Sequence, residues 1–89
     1  MNSRENWDLQ VDPAVFKFLK KIPKGYVAAI LEVIKFLPAN PYFGDIQKMK
    51  EGGEVWRRRV GAYRIFYKVK TSEKVILVFS VERRGSKIY

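Results

Sequence analysis

The chain has 89 residues, 47% of them hydrophobic and including six Phe, five Tyr and two Trp, which is enough for one packed domain spanning residues 1–89 and too apolar for a disordered chain. It holds no cysteine and no histidine, so disulfides, thiol nucleophiles and imidazole bases or ligands are excluded, and any catalysis must run on Lys, Arg, Tyr and carboxylates. The net charge of +9 is lopsided: residues 1–46 carry six Lys/Arg against five Asp/Glu, residues 47–89 twelve against four, so an anionic partner should bind the second half.

No apolar run approaches the roughly 20 residues that span a bilayer, and the first ten residues have no signal-peptide core. A soluble, cytoplasmic protein with no membrane partner is the expectation. Trp7, Leu9 and Val11 alternate with Asp8 and Gln10 as in a short strand with one buried face. Asp12 then stands as an N-cap with Pro13 at the first helical position, and Val15, Phe18, Leu19 and Ile22 mark the buried stripe of a helix of about ten residues. Lys17, Lys20 and Lys21 fall on its exposed side, and Pro23 and Gly25 break it.

A second helix opens near Lys24 with Val27, Ile30, Leu31 and Ile34 at the same spacing, Ala28 and Ala29 allowing a close neighbour, and Pro38 stopping it. Asn40 to Gly53 reads as a loop whose length suits function better than mere connection. From Val55 the period becomes two: a strand to Val60, a Gly61-Ala62 hairpin turn, a return strand from Tyr63 to Lys70, and after Thr71–Glu73 an apolar strand from Val75 to Val81. The order β-α-α-β-β-β predicts an α+β domain, a helical hairpin packed on a four-stranded, mainly antiparallel sheet.

Alternation puts Arg57 and Arg59 on one side of the first hairpin strand, and Arg64, Phe66, Lys68 and Lys70 together on the return strand, opposite the apolar Tyr63, Ile65, Tyr67 and Val69. If the apolar side meets the helices, Arg57, Arg59 and Arg64 converge on the open side. Cross-strand neighbours lie only about 5 Å apart, so these guanidinium groups repel one another unless an anion such as phosphate is bound. The other reading is a solvated face whose arginines pair with loop acids such as Glu51 or Glu54. Arg58 points by alternation toward the core and must either snorkel past Trp56 at the sheet edge or be turned out by a bulge. Beyond the last strand, Arg83, Arg84, Lys87 and Tyr89 form a short basic tail, either a flexible electrostatic anchor or a segment folded back over the sheet.

The stretches NPYFGDIQKMK, WRRRVGAYRIFYKV and VILVFSVERRGSKIY, with the IPKG break before them, together resemble the RelE/ParE superfamily of toxins from type II toxin–antitoxin modules, over nearly the whole chain after about residue 7. The resemblance implies one of two activities: RelE-type members cleave mRNA in the ribosomal A site without a metal, and ParE-type members inhibit DNA gyrase. A degenerate member that keeps only antitoxin or nucleic-acid binding is the third alternative. It also implies a cognate antitoxin, small and acidic, with a toxin–antitoxin heterotetramer as one assembly open to the pair, and the ribosome and mRNA as further partners of a RelE-type toxin.

By position, Arg57 and Arg59 match the family's phosphate-holding strand residues, Arg64 the arginine that stabilises the transition state, Arg84 the post-strand arginine and Tyr89 the C-terminal tyrosine used as general base. Lys48, Lys50, Arg83 and Lys87 join the phosphate-binding set, and Lys48 or Lys50 is the alternative base. Arg58 departs from the family, which usually has an apolar residue there. RNA supplies its own nucleophile, the 2′-OH, so the protein needs only to deprotonate it, neutralise the pentacoordinate phosphate and ease departure of the 5′ oxygen. Tyrosine is a weak base at neutral pH, but neighbouring cations favour its phenolate, and Arg84 suits electrostatic stabilisation better than proton donation. Glu51, Glu54, Glu73 and Glu82 are scattered without metal-ligand spacing, so no metal and no cofactor are expected.

Overall fold

Asp12 ends one element and begins the next. Its backbone is extended, and its carboxylate accepts a hydrogen bond from the Ala14 amide at 2.8 Å, satisfying one of the free donors at the start of a helix. A computed structural model describes residues 7–50 and 53–85. In chain order they form β1 (Asp8–Val11), α1 (Pro13–Leu19), α2 (Lys24–Phe36), β2 (Ile46–Lys48), β3 (Val55–Val60), β4 (Tyr63–Lys70) and β5 (Val75–Arg83).

α1 runs seven residues rather than ten, because the chain tightens into a turn at Lys20–Lys21 ahead of Pro23, which then stands at the N-cap of α2. Of the two apolar stripes, Val15, Leu19, Ile30 and Ile34 are buried outright and Phe18, Ile22, Val27 and Leu31 flank them. Ala28 and Ala29, expected to admit a close neighbour, face solvent. No helix among the described residues is long and apolar enough to cross a membrane.

The sheet has order β1-β5-β4-β3-β2, with β1 parallel to β5 and every other pair antiparallel. The expected α+β architecture is present with one strand more than the sequence indicated: β2 lies inside the stretch read as a loop and pairs Ile46, Gln47 and Lys48 with Arg58, Arg57 and Trp56. The helices cover one face only, where Tyr63, Ile65, Tyr67 and Val69 of β4 and Ile76, Val78 and Val81 of β5 meet Val15, Leu19, Ile30, Ile34 and Leu37. β5 does not alternate cleanly. A bulge opposite Phe66 and Tyr67 inserts one residue, so Val78 and Val81, three apart, both reach the core.

Tyr67 is fully buried in this core and donates its hydroxyl to the Pro41 carbonyl, fastening the segment after α2 to the centre of the sheet. Burial pushes its pKa from 10.0 up to about 12, against the opposing pull of the Arg58 charge. A raised folded pKa means that the unfolded phenol ionises first. The contribution of Tyr67 is therefore complete below about pH 10 and lost as pH climbs through about 12. Urea titrations at pH 8 and pH 11 check this: Tyr67→Phe should cost about 1 kcal/mol at pH 8 for the lost hydrogen bond and lose less stability than the parent between the two pH values.

Candidate nucleic-acid interface

The face of the sheet turned away from the helices is built by two cross-strand rows. In one row the register sets Gln47, Arg57, Phe66 and Ser80 side by side across β2, β3, β4 and β5. In the next, Arg59 stands directly opposite Arg64, and Arg64 opposite Glu82. Paired residues share a face, so Arg57, Arg59 and Arg64 are brought together as their parity predicted. The tight turn that makes this possible uses Gly61 at φ 58°, a conformation that costs glycine nothing.

The pairing partners differ from those expected. Arg59 meets Asp45, its Nε 3.7 Å from the carboxylate and its amide donating to the Asp45 carbonyl at 2.9 Å. Arg57 donates to the Gln47 side chain at 2.6 Å. Glu54 instead takes Lys48, at 3.6 Å, and the Trp56 indole, at 3.3 Å, while Glu51 lies outside the described residues. Arg64 has no ion pair among the described residues, and in the register it stands between Arg59 on β3 and Glu82 on β5. One weak, exposed ion pair does not neutralise three arginines, and an anion would.

Arg58 resolves differently. It stays on the helix side and reaches the sheet edge, where its guanidinium lies 4.5 Å from the centre of the Phe43 ring and Nη1 donates to the Phe43 carbonyl at 3.0 Å. No bulge in β3 is needed. Gly44 passes so close beneath this group that a Cβ there would sit 2.5 Å from the guanidinium carbon, and its φ of +88° suits only glycine well. Arg58 thus clamps the Phe43–Gly44 turn, and the next residue, Asp45, is the one that holds Arg59.

Other sequence-predicted residues are spread more widely. Register puts Lys48 with Trp56, on the face opposite to Arg57. It nevertheless lines, with Lys50, Gln47, Met49 and Val55, a shallow hollow of about 480 Å³ beside the arginine rows. Arg84 lies just past β5, its amide bonded to the Ala62 carbonyl of the hairpin turn between Arg59 and Arg64. Arg83 is opposite Tyr63 at the end of β5. Lys87 and Tyr89 lie outside the described residues. The roles of Asp45, Gln47 and Glu82 around the cluster were not anticipated. Among the described residues no three acidic side chains stand together as metal ligands would.

Comparison with known proteins bears directly on this arrangement. A family model described as the ParE toxin of the type II toxin–antitoxin system parDE matches residues 9–88. The chain is 30% identical over 81 residues to a Methanocaldococcus jannaschii protein named as toxin RelE1, an alignment that covers 88% of this chain and 90% of that one. Its fold is similar to the archaeal RelE–RelB complex from Pyrococcus horikoshii OT3, with a TM-score of 0.79, 28% identity, and 92% and 99% of the two chains covered. It is similar as well to the RelB–RelE antitoxin–toxin complex from Methanococcus jannaschii, with a TM-score of 0.72, 26% identity, and 86% and 92% covered. With a family match across nearly its whole length, a relative at 30% identity and a fold shared with RelE toxins, the chain belongs to the RelE/ParE superfamily as a toxin of the type II toxin–antitoxin class.

Proposed function

We propose that this toxin is a ribosome-dependent mRNA endoribonuclease that stops translation by cutting mRNA in the ribosomal A site. The observation that carries the reading is the register of β3 on β4, which sets Arg59 against Arg64 and Arg57 one row away on a face that no helix covers. The reaction follows from what these groups supply. A base takes the 2′-OH proton, the oxygen attacks the adjacent phosphorus, and the 5′ oxygen leaves and is protonated, giving a 2′,3′-cyclic phosphate and a 5′-hydroxyl end. Arg57 and Arg59 hold the phosphate, Arg64 stabilises the charge that grows on it, and Arg84 eases the departing oxygen. Tyr89 is the proposed base. Tyr67 cannot replace it, since it is buried in the core on the helix side, away from the arginine rows, and its hydroxyl is already donated to the Pro41 carbonyl.

The relatives solved as complexes with RelB support a cognate antitoxin as resting partner, and the excess of positive charge in residues 47–89 favours an acidic one. The cutting reaction is tested with purified toxin on ribosomes programmed with a defined mRNA. Tyr89→Phe keeps the ring and removes the ionisable oxygen. It should abolish most A-site cleavage while ribosome binding stays near the parental level. Parental cleavage by that variant would transfer the base role to another group, Lys48 or Lys50 first.

A second reading, a toxin that inhibits DNA gyrase by binding, is favoured by the ParE description of the matching family. Supercoiling by gyrase in the presence of the purified chain separates the two, because a ribosome-directed nuclease leaves it unchanged.

A further inference from the structure

The face that carries the arginines also carries two phenylalanines that the core does not use. Phe66 stands opposite Arg57 in the register. Phe79 is the residue inserted by the β5 bulge: with Val78 and Val81 both turned to the helices, Phe79 and Ser80 between them are left half-buried on the other side. The two rings lie 6.4 Å apart with their planes inclined by 40°. Neither belongs to the helix-side core nor packs against it.

A bulge that only adjusted sheet twist would have no reason to place a second ring beside the first. Leu77 adds to the same apolar strip, and Arg57, Arg64 and Lys68 surround it in the register. Flat apolar rings set among cations that lack a full complement of anions are the composition of a groove for single-stranded nucleic acid, in which charge tracks the backbone and rings stack the bases. A protein helix laid on this face would bury the rings equally well, but Arg57, Arg59 and Arg64 in adjacent register positions, with one exposed ion pair among them in the described residues, favour a phosphate-bearing occupant.

We propose that Phe66 and Phe79 form a base-stacking platform for one nucleotide of single-stranded RNA whose neighbouring phosphate is held by Arg57, Arg59 and Arg64. This rests on the RNA-cleaving reading above. It adds that the toxin reads unstacked bases and not the backbone alone.

Binding of a short 2′-O-methylated single-stranded RNA, which cannot be cut, is measured against an abasic strand of the same length. The parent should prefer the base-bearing strand about tenfold, as a base stacked on an aromatic ring implies. Phe66→Leu with Phe79→Leu should erase that preference and leave the abasic affinity unchanged. Phe66→Trp in the Phe79→Leu background should bring it back. Arg57→Ala should weaken both strands alike.

A parent that binds both strands equally, with Arg57→Ala weakening both, overturns the platform and leaves the RNA reading standing. No binding of either strand at low salt overturns the platform, while the RNA-cleaving reading falls only if programmed ribosomes are left uncut. If the double leucine variant keeps the base preference but loses affinity for the antitoxin, the rings are a protein-docking surface and the proposal is wrong.

Discussion

Arg64→Ala is expected to lower the rate of ribosome-dependent cleavage by roughly 10²–10³-fold, the usual cost of removing one preorganised donor from developing charge. The same substitution should leave stability nearly unchanged. Arg64 has no ion pair among the described residues, and its cross-strand neighbours are one like charge, Arg59, and one opposite charge, Glu82. A large loss of rate with little change in stability separates a functional residue from a structural one. Arg64→Lys should recover part of the rate, since it keeps the charge but not the bidentate geometry. Lys20→Ala, on the exposed end of α1, should change neither rate nor stability. Cleavage rates with programmed ribosomes and urea midpoints on the same protein preparations check both arms.

Ile65→Ala should act in the opposite sense, through the fold. Ile65 is fully buried at the centre of β4, with Arg58 and Val81 as its cross-strand neighbours and the helices above it. Truncating a buried isoleucine costs roughly 2–5 kcal/mol, against a total of roughly 4–13 kcal/mol for a domain of this length. The melting midpoint should fall by roughly 10–30 °C. Because Ile65 lies between Arg64 and Phe66 in the same strand, any surviving folded protein should also hold its arginines less well. Thermal melts followed by circular dichroism give the first effect, and cleavage assayed well below the new midpoint gives the second.

What could be read from the sequence was what repeats or caps. The Asp12-Pro13 start, the two apolar stripes and the strict alternation from Val55 to Lys70 around Gly61 each carry a local signal. Together they were enough to put Arg57, Arg59 and Arg64 on one face. β2 was missed because three residues are too few to show a period, and its pairing depends on β3, nearly ten residues downstream. The β5 bulge left no mark, since Ile76 to Val81 is nearly all apolar and either phase would look acceptable. Only the register against β4 shows that Phe79 leaves the core. Arg58 was open between snorkelling and a bulge because its partner, Phe43, is fifteen residues away in sequence. The Asp45–Arg59 pair was invisible for the same reason: a loop acid finds its arginine only once β2 is in place.

The most direct test of A-site cleavage is transcriptome-wide mapping of mRNA 5′ ends together with ribosome positions after the toxin is induced without its antitoxin. New 5′-hydroxyl ends should appear inside coding sequences, in step with the codon in the A site, and vanish when Arg64→Ala is induced instead. Intact mRNA on the ribosomes, accompanied by accumulating gyrase-linked DNA breaks, would contradict it.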